Sequence, residues 1–201
     1  NVAFTPTDTA DFSNGTASVQ IAVNKAQLTV TADNKTTVYG SPNPAYTYTI
    51  TGFVNGDTQA SAVTGTPTLT TSPATPTNAG TYPITAALGT LASSKYTFAF
   101  APGTFTIAKA ASTITWATPT AITYGTALSG AQLNATAVPS GGTFTYTPAA
   151  GTILPAGTNT LSVVYTPSNA NYATQTATVQ LVVNQAASTI TWATPTAITY
   201  G

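Results

Sequence analysis

The 201 residues include 4 Lys, 4 Asp and no Arg, Glu, His, Cys or Met, so the formal charge is zero. Four scattered lysines (Lys25, Lys35, Lys95, Lys109) balanced by four aspartates (Asp8, Asp11, Asp33, Asp57) cannot build the basic face that displaces phosphate counterions, which excludes a nucleic-acid partner. Without His or Cys, Ser-His-Asp and Cys-His nucleophilic catalysis and transition-metal centres are closed as well.

Hydrophobic residues still make up 42% of the chain, enough for a packed core, while 47 threonines supply the polar faces that charges usually occupy. No run approaches the roughly 18 apolar residues of a membrane span, so no membrane insertion is expected in this segment.

In chain order, every predicted element is a strand. The TPTDTAD loop with Asp8 and Asp11 reads as a solvated turn, and Ala17, Val19, Ile21 and Val23 then alternate with polar residues as one strand face. After Gln27, Tyr46, Tyr48 and Ile50 stand opposite Thr47, Thr49 and Thr51, and Phe105 with Ile107 repeats the pattern. Gly40 to Pro44, Asn55-Gly56-Asp57 and Asn78 to Gly80 supply turns between these runs. From Ala111 the alternation resumes: Ile114 with Trp116, Thr143-Thr145-Thr147, Val163 with Tyr165, and Ala177, Val179, Leu181 and Val183. Short strands about every 8 to 12 residues with Gly and Pro turns predict an all-β chain of antiparallel sandwiches.

The chain also repeats itself. ASTITWATPTAITYG at residues 111–125 returns unchanged at 187–201, a period of 76 residues. VAFTPTDTADFSNGTASVQIAVNKA from Val2 parallels VVYTPSNANYATQTATVQLVVNQA from Val163 with one residue inserted. The expected organisation is therefore the closing strands of a module at 1–26, whole modules at 27–110 and 111–186, and the opening strands of another at 187–201. Each fragment lacks most of a core, so the 201 residues are expected to be a window on a longer polypeptide. Short junctions without Gly/Ser linkers predict a rod-like tandem array.

With LTVTADNKTTVYGSPNPAYTYTITGFVNGDT followed by GTYPIT, KYTF and GTFTI, residues 27–109 resemble the MBG domain of the YGX type found in bacterial surface proteins. Tyr39-Gly40, Pro44, Gly52, Asn55-Gly56-Asp57 and Gly80-Thr81-Tyr82 carry the resemblance. The flanking ITW, AITYG, LPAGTNTLSVVYTP and ATVQLVVN segments resemble bacterial Ig-like repeats. Neither family implies catalytic residues. The resemblance implies an extracellular or cell-surface fibre of β-sandwich repeats acting as spacer and scaffold, with an adhesin that binds surface glycans or neighbouring fibres through exposed loops as the alternative. Its expected partners are neighbouring modules of the same chain, other fibres or surface glycans.

No enzyme activity and no cofactor are expected. Asp33 and Asp57 are the calcium candidates, because hard oxygen ligands are the only kind present, although no Asp-x-Asp spacing occurs. Asn14, Asn34 and Asn134 head the three N-x-Thr sequons. Two cores are predicted, one from Ile114, Trp116, Ile122, Tyr124, Leu161, Val163, Tyr165, Val179, Leu181 and Val183. The other draws on Tyr46, Tyr48, Ile50, Tyr82, Ile84, Tyr96, Phe98, Phe105 and Ile107. Trp192 shares the phase of Ile190 and is placed with the core residues too.

Overall fold

The computed structural model describes all 201 residues, and it is all-β apart from one helical turn. The first part of the chain forms β1 (Val2–Phe4), β2 (Gly15–Ala17), β3 (Ala26–Ala32), β4 (Lys35–Val38) and β5 (Tyr48–Thr51), then the turn α1 (Gln59–Ala62). It continues through β6 (Thr68–Thr71), β7 (Gly80–Ala87), β8 (Tyr96–Ala101) and β9 (Gly103–Ala108). The remainder forms β10 (Thr113–Thr115), β11 (Ile122–Thr123), β12 (Thr136–Val138), β13 (Gly142–Thr147), β14 (Gly157–Pro167) and β15 (Gln175–Asn184). The larger sheets run β5-β3-β8, β4-β9-β7-β6 and β11-β15-β14-β13.

Two compact units emerge. The first comprises Asn1–Asn34, Ala45–Ala74 and Pro83–Thr104; the second comprises Lys35–Pro44, Thr75–Tyr82 and Phe105–Gly201. In the first unit, β3 alternates exposed or half-buried residues with the buried Leu28, Val30 and Ala32, as period-two patterning requires when one sheet face is covered. Leu28 and Val30 cluster with Ile50, Leu91 and Tyr96, and Tyr48, Phe53 and Phe98 pack on the rim. Gly103 is needed at the β8–β9 turn because the chain passes so close to β3: a Cβ there would lie 2.3 Å from the Ala32 carbonyl oxygen.

The second unit carries its own sandwich. Phe144, Tyr146, Leu161, Val163, Tyr165, Leu181 and Val183 share the inner face of the four-stranded sheet. Leu161, Leu181 and Val183 cluster with Leu128 and Leu154 from the loops, while Trp116, Ile122, Leu133 and Val179 pack against them. Trp116, just past β10, stands edge-on to Tyr146 at 5.4 Å and donates its indole N–H to Gln132 O. Tyr165 is fully buried with its hydroxyl donating to Pro139 O. Large apolar side chains on one face and threonines on the other explain why this register is unambiguous.

Several expectations change. The sheets are mixed, since β3 pairs β8, β4 pairs β9 and β11 pairs β15 in parallel. Each parallel pair joins strands that have other strands between them in the chain, a long-range pairing which hydropathy alternation does not reveal. Tyr124 is 54% exposed rather than core, because the chain leaves β11 into the Gly125 turn at φ +95°. The strand expected through Val19, Ile21 and Val23 forms only at Gly15–Ala17, and those three side chains are exposed. Residues 185–201 form no strand, and Trp192 is 85% exposed. Strand-competent sequence without a partner strand and a covering face has nothing to bury against.

Even so, β1 and β2 copy the tip of the β14–β15 hairpin. Val2 pairs Ala17 and Phe4 pairs Gly15, matching Val163 with Ala177 and Tyr165 with Gln175. The Asp8 carboxylate accepts from the backbone N–H of Ala10 and Asp11, as Asn169 Oδ1 accepts from that of Asn171. The solvated-turn expectation for Asp8 and Asp11 matches this geometry.

Candidate functional site

In a chain with so little reactive chemistry, the most elaborate polar arrangement is a junction around Ala110. The β4 strand ends in Val38-Tyr39-Gly40. Tyr39 donates its backbone N–H to Ala108 O at 2.8 Å, and Gly40 at φ +86° turns the chain so that Ser41 N–H reaches Val38 O. A non-glycine residue would be strained at that φ, so the Tyr-Gly pair fixes where the tyrosine ring projects.

The loop between β14 and β15 meets this ring. Tyr172 stands edge-on to Tyr39, with 5.5 Å between centroids and 75° between planes. Its neighbour Asn171 uses both ends of its amide: Oδ1 accepts from Ala79 N–H at 2.7 Å, and Nδ2 donates to Asn78 Oδ1 at 3.1 Å. Ala110 completes the arrangement with a parallel bridge, donating its N–H to Asn171 O and accepting from Ala173 N–H, both at 2.9 Å. The buried Ser112 hydroxyl then donates to Ala173 O at 2.7 Å. All these groups lie in the second compact unit. Six directional bonds and a ring pair leave the Ala108–Ser112 segment little freedom to swing.

Neither calcium candidate is a bare carboxylate. Lys95 Nζ sits 2.9 and 3.1 Å from the two oxygens of Asp57, and the Tyr96 hydroxyl donates to Asp57 at 3.0 Å. Those hydrogen bonds, from Lys95 first and Tyr96 second, hold the Asp57 carboxyl below its ordinary 3.8, while the carboxylate holds Lys95 above its ordinary 10.5. Tyr96 O–H also accepts from Val54 N–H, so the pair pins the Asn55-Gly56 turn, where Asn55 adopts φ +55°. Asp33 accepts from the Thr47 and Thr49 hydroxyls at 2.5 and 2.9 Å. The two aspartates serve separate turns, and the structure does not bring them together with a third ligating residue.

The sequon asparagines Asn14, Asn34 and Asn134 are all exposed. Asn34 Oδ1 accepts from Thr104 N–H at 2.8 Å, and Asn134 Nδ2 donates to Ala131 O at 3.3 Å. Sequence reasoning missed Asn171 and Tyr172. The available signal was their place in a loop that recurs, as Asp11 and Phe12, in the parallel segment at the chain's start.

The Tyr39-Gly40 turn, the Asn55–Asp57 turn and the Gly80 strand start occur in one segment with the β3-to-β9 strand order described above. Residues 28–106 match the family model of the MBG domain, YGX type. The match ends just before the Ala110 junction. MBG domains are repeat domains of surface proteins and are not a known enzyme family. No curated protein matches the chain. No helix here is long and apolar enough to cross a membrane.

Proposed function

We propose that this chain is a structural spacer and scaffold segment of a long extracellular or bacterial cell-surface fibre, built from tandem β-sandwich repeats. The proposed repeats are the MBG module at 27–110 and the Ig-like module at 111–186, with parts of two further Ig-like modules at 1–26 and 187–201.

The observation that carries this reading is the Ala110 junction. A spacer must convert the number of repeats into reach, which requires that consecutive repeats not fold back on each other. Here the connecting strand ends are bridged by Ala110, Asn171 and Ala173, and the Tyr39 and Tyr172 rings close beside them. A chemically quiet surface fits the same role: 4% charged residues and no His or Cys leave little that a catalytic site could use.

Small-angle scattering on a series of chains carrying increasing numbers of the 76-residue repeat tests this. Maximum dimension is expected to grow by a constant increment per repeat. Growth near the square root of residue number, the behaviour of a flexible tether, overturns the spacer reading.

A further inference from the structure

The junction around Ala110 has a counterpart at the other end of the Ig-like module. A pocket there is lined by Tyr124, Pro155, Ala156 and residues 185–188. Tyr124-Gly125 repeats the geometry of Tyr39-Gly40: its backbone N–H donates to Asn184 O at 2.8 Å, and Gly125 turns at φ +95°. Both tyrosines end a short strand that runs parallel to the last strand of its sandwich, β4 on β9 and β11 on β15.

The remaining walls correspond as well. Pro155-Ala156 precedes Gly157 at the start of β14 as Asn78-Ala79 precedes Gly80 at the start of β7. Gln185 to Ser188 continues from Asn184 as Lys109 to Ser112 continues from Ala108. In the first site Tyr39 is half-buried beneath Tyr172, whereas Tyr124 is 54% exposed.

We infer that the Tyr124 pocket is a docking socket for the β-hairpin loop of another repeat of this kind, one carrying Asn or Asp followed by an aromatic residue. The inference rests on the repeat-array reading and names the contact that array would make. The aromatic residue packs edge-on against Tyr124. The Asn or Asp oxygen accepts from Ala156 N–H, as Asn171 accepts from Ala79, and the loop backbone bridges Ala186 while Ser188 takes the place of Ser112.

One difference refines the partner. Pro155 stands where Asn78 offers its side-chain oxygen, so this position supplies no side-chain acceptor for an amide N–H. An aspartate, which only accepts, therefore loses nothing there. The chain contains such a loop: Asp11-Phe12 occupies the place of Asn171-Tyr172 on the β1–β2 hairpin, and Phe12 is 64% exposed. A second copy of the chain can thus supply the plug head to tail, a heterologous contact that repeats rather than closes.

Two measurements test this on the full chain. In the first, residues 126–186 are added a second time after Gly201, completing a repeat with its own Asn-Tyr loop, and amide exchange is followed at Ala156 and Ala186. Both amides are expected to slow about tenfold or more relative to the unlengthened chain, with Tyr124→Ala reversing most of the gain. A blue shift of Trp192 emission reports that the added repeat has folded. Unchanged exchange beside that blue shift overturns the inference; should Trp192 stay solvated, the second measurement decides alone.

That measurement is sedimentation of the unlengthened chain. Its mass is expected to rise above 20.2 kDa with concentration, and the rise to be lost in both Phe12→Ala and Tyr124→Ala. A rise indifferent to both substitutions, or none up to about 1 mM, the effective concentration a short tether provides, overturns it. Protected amides together with sublinear growth in scattering would sink the spacer reading while leaving the socket intact.

Discussion

The rings of Tyr39 and Tyr172 meet as a T-shaped pair with centroids 5.5 Å apart, so two residues 133 positions apart in sequence close one junction. An edge-to-face pair of this kind contributes about 0.5 to 1.5 kcal/mol beyond the area it buries. Tyr172→Ala is expected to destabilise the chain by about 1 to 2 kcal/mol in urea unfolding, and Tyr172→Phe by much less, because the ring and not the hydroxyl makes the contact. Equal losses for the two variants would show that the ring pair is not what holds the junction.

Asn171→Ala removes the groups that satisfy Ala79 N–H and Asn78 Oδ1 but leaves the Ala110 backbone bridge in place. A hydrogen bond of this type contributes about 0.5 to 1.5 kcal/mol, so the variant is expected to lose about 1 to 2 kcal/mol and to speed amide exchange at Ala79. Asn171→Asp keeps the acceptor for Ala79 and should lose less. Unaltered exchange at Ala79 in Asn171→Ala would remove the side chain from the account of the junction.

The Asp57–Lys95 pair sets the expected pH response. The folded-state pKa of Asp57 is depressed, so its contribution is present above about pH 4 and is lost as pH falls through the lowered folded value. Lys95 is raised above 10.5, so its contribution is present below that value and disappears as pH climbs past it. With no His in the chain, the melting midpoint is expected to stay level from about pH 5 to 9 and to fall on both sides. Lys95→Met should flatten the alkaline fall. A midpoint drifting by many degrees within the plateau would reveal a titrating group other than this pair.

Gly103 and Leu161 probe packing at opposite ends of the size scale. Adding a methyl in Gly103→Ala places a carbon 2.3 Å from Ala32 O, which the β3 backbone cannot yield without loosening, and about 1 to 3 kcal/mol of stability should go. Leu161→Ala empties part of the cluster with Leu128, Leu154 and Leu181 and is expected to lose about 2 to 5 kcal/mol. Trp192→Ala, by contrast, should stay within about 0.5 kcal/mol of the parent chain in the same urea titration.

Period-two alternation was sufficient to identify an all-β chain, and it placed Ile50, Ile84, Tyr96, Phe105, Leu161, Val163, Tyr165, Leu181 and Val183 in the interior, where they are buried. The same signal could not find Leu28, Leu91, Leu128 or Leu154 among the core residues, since the last three reach it from loops that carry no alternation. The turn formers from Gly40 to Pro44 marked the turn after Tyr39 but not its partner, because a loop 133 residues away leaves no local trace.

The plainest division between the two levels lies in residues 111–125 and 187–201, which share one sequence. At 111–125 it forms β10 and β11, because β12 pairs with Thr113–Thr115, β15 pairs with Ile122–Thr123, and the Leu161–Leu181 face receives Trp116. At 187–201 the same alternation finds no such partners, forms no strand, and leaves Ile190, Trp192, Ile198 and Tyr200 exposed. Sequence alone determined which residues could face a core and in what phase. Only the tertiary structure decided whether a core was there to receive them, since a strand becomes stable when a neighbour takes its backbone hydrogen bonds and a second layer covers its apolar face.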